Sequence, residues 1–149
     1  MSFAIRPLSE PDFPEILAVW ESSVRASHHF LSEADIQFYK PLIHTEYLPA
    51  LSLFGIDLTT GELAGFIGIA DDKIEMLFVH PDYFGRRIGK ALCGFAIREF
   101  DVSKVDVNED NQGAFLFYER IGFKLVGRSD IDPSGNPFPV LHLEINDFR

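Results

Sequence analysis

From Lys73 to Phe123 the chain alternates strand-like apolar runs with amphipathic helical stretches, and a glycine-bearing turn stands at the first junction. The run Lys73 to His80 ends at Pro81. Residues 87–100 then place Ile88, Leu92, Phe95, Ala96 and Phe100 on one face, the pattern of a helix laid on a core. Val102 to Val107 reads as another strand. Asn111 is positioned to cap a further helix, with Ala114, Phe117, Tyr118 and Ile121 as its stripe and Gly122 as its stop. A chain with this alternation buries its apolar surface by laying helices on a sheet.

The flanking segments extend the pattern. Residues 3–7 look like a first strand, and Ser9-Glu10-Pro11-Asp12 opens a helix whose stripe is Phe13, Ile16, Leu17, Trp20 and Val24. Ser32 is placed to cap a second helix, which Pro41 and Pro49 are expected to disturb. Strand-like runs at 51–58 and 63–69 flank the turn Thr59-Thr60-Gly61-Glu62. Two more, 123–129 and 138–145, flank Asp132-Pro133-Ser134-Gly135-Asn136-Pro137. The predicted class is α/β, an α+β mixed sheet in the order βααβββαβαββ. With no repeat, linker or low-complexity tract, one domain is expected over 1–149.

Charge narrows the partners. Against 13 Lys plus Arg stand 23 Asp plus Glu, a net −10. A nucleic-acid partner needs a basic surface, so none is expected. Acidity suits a cationic acceptor, although it also serves solubility alone. No apolar run is long enough to cross a membrane. Met1 to Arg6 has neither the charged start nor the apolar run of a signal peptide, and Cys93, the only cysteine, forms no internal disulfide. A cytoplasmic protein is expected.

The junction itself reads Pro81-Asp82-Tyr83-Phe84-Gly85-Arg86-Arg87-Ile88-Gly89-Lys90. A strand that passes through such a turn into a helix leaves main-chain N–H groups unpaired at the helix start, and the helix dipole adds to their pull on an anion. Arg86, Arg87 and Lys90 reverse the chain's prevailing charge at this point. A plain left-handed turn beside a solvated basic helix end would look the same. A nucleotide-triphosphate loop would not, because three residues separate Gly85 from Gly89 and Ala91 follows Lys90.

Val79-His80-Pro81 followed by Phe84-Gly85-Arg86-Arg87-Ile88-Gly89 resembles the coenzyme A motif of the GCN5-related N-acetyltransferase (GNAT) family. Phe84 stands where that motif has Arg or Gln, and Arg87 where it has its first glycine; the Arg87 N–H can serve a phosphate if φ stays negative. The block Asn111-x-x-Ala114-x-x-Phe117-Tyr118-x-x-x-Gly122-Phe123 resembles the family's second motif at every named position. The resemblance implies acetyl-coenzyme A as cofactor. Its arm is expected between strands 73–80 and 102–108, against Leu77, Phe78 and Val79. Phe84, Gly85, Arg86, Arg87, Ile88, Gly89 and Lys90 are expected around its phosphates, and Asn111, Ala114, Phe117 and Tyr118 beside it.

The reaction implied is direct attack of an amine on the thioester. Tyr118 is the expected donor to the leaving sulfur, whose thiol has a pKa near 8.5. Glu75 is the candidate base, with a solvent-facing strand position as its alternative. No nucleophile–base–orienter set is visible in the sequence. For the acceptor, a small-molecule or protein amine, the candidates are Trp20, His28, His29 and Phe30, in a segment that resembles a bacterial subgroup of the family. His44, His80 and His142 show no ligand spacing, so no metal is expected. A non-catalytic sensor of acetyl-coenzyme A, another acyl group and an oxygen acceptor stand as alternatives. The final strands are a candidate homodimer surface.

Overall fold

A computed structural model of the chain describes residues 3–27 and 31–146. Strands β1 (Ile5–Pro7), β2 (Ser52–Asp57), β3 (Leu63–Ala70), β4 (Lys73–Val79), β5 (Lys104–Asn108), β6 (Lys124–Ser129) and β7 (Val140–Glu144) form one sheet. Its spatial order is β1-β2-β3-β4-β5-β7-β6. Neighbours run antiparallel except β4 and β5, which are parallel. The helices are α1 (Phe13–Ser27), α2 (Glu33–Leu42), α3 (Ile88–Phe100) and α4 (Gln112–Ile121).

Two cores sandwich the sheet. On one face Ile16, Trp20 and Val24 of α1 meet Phe66 of β3 and Met76 of β4. On the other, Leu92 and Ala96 of α3 meet Ile67, Val105 and Val107, while Tyr118 and Ile121 of α4 join Phe123 and Leu143. β3 is buried over Leu63–Ile69 because both faces are covered, and it reads accordingly as a continuous apolar run. Helix α3 ends where Asp101 turns left-handed at φ +52°, so β5 starts at Lys104, two residues after the expected Val102.

Pro41 does not stop the second helical stretch. It lies in the last turn of α2, where its missing N–H removes a single bond. A wider π turn follows over Ile43–Tyr47, and the Thr45 hydroxyl donates to the Pro41 carbonyl at 2.8 Å. Pro49 opens the 3₁₀ turn Leu48–Ala50. The helical path therefore continues to the start of β2. No described helix is long and apolar enough to cross a membrane.

Gly65 of β3 lets α3 and β4 close on the sheet. A Cβ there would lie 3.0 Å from Ile88 Cγ2 and 3.1 Å from the Phe78 carbonyl oxygen. The second neighbour is backbone and yields little, so Gly65→Ala is expected to cost about 1–3 kcal/mol. A lowered midpoint in urea denaturation at unchanged m-value checks this.

Candidate active site

β4 and β5 pair at only two positions, Lys73 with Lys104 and Ile74 with Val105. A bulge explains why pairing stops there. Against β3, Met76 faces Gly68 while Ile74 faces Ile69, which leaves Glu75 as an extra residue in β4. A bulge bends and twists its strand. Immediately beyond it β4 and β5 diverge, opening a cleft. The walls are Ile74–Phe78 of β4, Val105–Asn108 of β5, and Asn111, Ala114 and Tyr118 of α4. Among the described residues the β4–β5 ladder does not continue past Ile74. An extended ligand with amide groups can lie along this edge of β4.

The β4–α3 turn passes through two left-handed residues, Gly85 at φ +78° and Arg87 at φ +65°. Arg87 does not keep the negative φ on which the use of its N–H depends; it takes the conformation that a glycine supplies without strain, and its carbonyl accepts from Ala91 N at 3.0 Å as the first bond of α3. For a residue with a Cβ this costs roughly 1–2 kcal/mol. Ile88 is 3% exposed and belongs to the core, so only its main chain can serve the turn. Phe84, by contrast, is 47% exposed. Arg86 lies 5.7 Å from the centroid of the Tyr83 ring, in cation–π contact, and Lys90 projects from the first turn of α3 as an exposed cation.

The turn and the second motif touch each other. A Cβ on Gly89 would lie 3.3 Å from Phe117 Cζ, so the missing side chain is what lets α4 approach α3. The Phe117 ring stacks edge-on against Tyr118, centroids 5.0 Å apart, and Phe123 holds the far side of Tyr118 at 5.4 Å. Tyr118 is thereby buried and still lines the cleft. Its hydroxyl bonds to no other described residue. Burial, with Cys93 close by, pushes that hydroxyl well above its ordinary value near 10. Asn111 both caps α4, accepting from Ala114 N at 3.1 Å, and lines the cleft.

Glu75 is exposed, on the bulge, at the cleft wall. Its carboxylate lies 3.7 Å from Lys73 Nζ, which bonds Asp106 Oδ2 at 2.6 Å. Asp106 Oδ1 meets His142 Nδ1 at 2.7 Å, and His142 Nε2 meets Ser129 Oγ at 2.7 Å. Burial raises the Asp106 carboxyl, but the bonds from Lys73 and His142 outweigh it and hold the group below its ordinary range. The sequence reading missed this line of side chains. Asp106 and His142 are cross-strand partners, a pairing visible only once β7 is known to lie between β5 and β6.

Trp20 does not reach the cleft. It is 4% exposed in the core beneath α1, so its place in the helical stripe decides its role, not its neighbours in sequence. His28, His29 and Phe30 lie outside the described residues. Arg25 pairs with Glu21 and Glu33 and braces α1 against α2. Across the same face, the Asn136 side-chain amide donates to the Tyr39 hydroxyl at 3.2 Å and ties the β6–β7 loop to α2. Among the described residues no cluster of His, Cys, Asp and Glu is placed to hold a metal.

The family model of the acetyltransferase (GNAT) domain matches residues 52–125, the stretch that contains the cleft. The chain is 34% identical to peptidyl-lysine N-acetyltransferase YjaB of Salmonella typhimurium, over 96% of this chain and 98% of that protein. Peptidyl-lysine N-acetyltransferase YiaC of Escherichia coli is 30% identical, over 82% and 84%. The solution structure of apo YjaB from Escherichia coli superposes with a TM-score of 0.87 at 32% identity, covering 97% of each chain. The fold also matches the PaiA N-acetyltransferase of Thermoplasma acidophilum in complex with coenzyme A, TM-score 0.77 at 23% identity over 99% of this chain and all of that one. The chain belongs to the GNAT family. Its reaction class is acetyl transfer from acetyl-coenzyme A to an amine.

The left-handed Arg87 allows a direct test. Arg87→Ala and Arg87→Gly both remove the guanidinium, but only glycine relieves the backbone. The glycine variant is expected to be about 1 kcal/mol more stable than the alanine variant, read from thermal or urea unfolding of the pair.

Proposed function

We propose that this chain acetylates the ε-amine of lysine side chains in a protein acceptor, with the thioester held in the β4–β5 cleft. The observation that carries the reading is the placement of Tyr118 and Glu75 on the same cleft, Tyr118 on α4 and Glu75 on the β4 bulge. The peptidyl-lysine acceptors named for the YjaB and YiaC relatives support the acceptor class. The residues present fit coenzyme A: the β5-facing edge of β4 beyond Ile74, where the β4–β5 ladder stops, suits an amide-bearing arm lying along Leu77, Phe78 and Val79, and the start of α3, with Gly85, Gly89 and the side chains of Arg86, Arg87 and Lys90, suits phosphates. When bound, acetyl-coenzyme A supplies an acetyl group on a good leaving thiol.

The chain's own groups then divide the proton handling. An alkylamine is mostly charged at neutral pH, so the acceptor must shed a proton before its nitrogen can attack. Glu75 Oε is the acceptor of that proton, directly or through a water. Tyr118 Oη donates a hydrogen bond to the departing sulfur. Its proton is held far more tightly than that of a thiol near 8.5, so hydrogen-bonding to the developing charge is favoured over complete transfer. Asn111 and Ala114 line the arm, and Phe117 positions the tyrosine through its ring contact and its packing on Gly89.

Thiol release with lysine-bearing peptides and with free amines tests the assignment. Tyr118→Phe is expected to lower kcat by about 10²-fold or more while calorimetry shows unchanged affinity for acetyl-coenzyme A. A Tyr118→Phe variant as fast as the parent would remove the tyrosine from the chemistry. Free amines turning over as well as peptides would remove the protein acceptor.

A further inference from the structure

The acetyl-transfer chemistry above uses neither Ser129 nor His142. Yet Ser129 Oγ, His142 Nε2, His142 Nδ1 and Asp106 Oδ1 stand in one line, each contact at 2.7 Å, on three neighbouring strands β6, β7 and β5. We propose that Ser129, His142 and Asp106 form a second nucleophilic site, an activated serine that takes acyl groups from small activated esters.

The hydrogen bonds dictate the protonation pattern. Asp106 is held ionised by Lys73 and His142, and a carboxylate only accepts. His142 Nδ1 therefore carries the proton and donates to Asp106. In the neutral ring Nε2 is then bare, and it accepts from the Ser129 hydroxyl. Nucleophile, base and orienter are thus each within hydrogen-bond reach of the next, the relation that makes a serine reactive. Lys73 Nζ, 2.6 Å from Asp106 Oδ2, fixes the carboxylate on its remaining side.

Ser129 is also accessible. The side chains of His142 and Asp106 are 36% and 28% exposed, and Ser129 is half-buried, so a small ester can reach Oγ. β6 is the edge strand of the sheet. In the reaction Oγ bonds to the ester carbonyl carbon as its proton moves to Nε2. The bond to the leaving oxygen breaks, and the imidazolium returns the proton to that oxygen. Water, deprotonated by Nε2, later releases the acid and restores the serine hydroxyl.

The purified chain, incubated with p-nitrophenyl acetate or an alkyl fluorophosphonate, is analysed by intact mass and peptide mapping over time. The expected result is one adduct, on Ser129, formed at least about 10²-fold faster than on the exposed Ser52 and Ser134 of the same chain. His142→Gln is expected to lower the rate by a similar factor and Ser129→Ala to abolish the adduct, with thermal midpoints reporting their folding. Tyr118→Phe should label like the parent, which separates this site from the proposed transfer chemistry. Labelling of Ser129 no faster than Ser52 and Ser134 overturns the proposal, and that comparison needs no variant. Labelling undiminished in a folded His142→Gln chain also overturns it.

Discussion

The single extra residue in β4 is the constraint on which the site depends. Were β4 regular, its pairing with β5 would continue past Ile74 and Val105, and the space between them would be filled by main-chain hydrogen bonds. The bulge at Glu75 ends that pairing after two positions. The energy of several ladder bonds is given up, and the sheet survives because β5 is held on its other side by five register positions to β7. β3 and β4 stay paired on both sides of the bulge. The opening is thus local: the sheet is continuous at the foot of β4 and parted at its head. The same residue that breaks the ladder also presents a carboxylate at the break, so backbone irregularity and the candidate base coincide.

A second contact fixes the two halves of the site relative to each other. Gly89 in the first turn of α3 and Phe117 in α4 approach within the distance that a methyl group would occupy. Phe117 passes that constraint to Tyr118 by ring stacking, and Phe123 completes the cage. The left-handed turn at Gly85 and Arg87 sets where α3 begins, and hence where Gly89 lies. The start of α3 and the Tyr118 hydroxyl are therefore not independent features on separate helices. A shift of α3 along its axis would move the ring that holds the tyrosine.

How much of this was legible in the sequence follows from the range of each interaction. The helical stripes, the Asn111 cap, the Gly122 stop and the class of sheet were readable because they depend on neighbours three or four residues away. The resemblance of its segment points Trp20 to the acceptor, whereas its stripe position places it in the core. The φ of Arg87 is set by how α3 must leave the turn, which side-chain type does not reveal. Pro41 is expected to disturb its helix, and at the last turn it costs one bond while a π turn absorbs the mismatch. The line from Lys73 to Ser129 joins residues 33, 36 and 13 positions apart and exists only because β7 inserts between β5 and β6. Period-two patterning shows which residues share a strand face, and it is silent on which strands are neighbours.

Electrostatics sharpens the picture of the cleft as a directed channel. The chain carries a net −10, yet three cations cluster at the α3 start while two carboxylates stand at the bulge. At the α3 start stand Arg86, Arg87 and Lys90, with a helix N-terminus adding to their field. At the bulge end stand Glu75 and Asp106, the latter kept ionised by its own partners. A ligand bearing phosphates at one end is favoured in a single orientation by such a field, and an incoming ammonium is drawn to the opposite end. Lys73 sits between the two carboxylates, 2.6 Å from Asp106 and 3.7 Å from Glu75, and offsets part of their charge, leaving the exposed Glu75 as the less tightly paired of the two. In the proposed transfer the reactive centre lies where the two approaches meet, beside the Tyr118 hydroxyl in the β4–β5 opening.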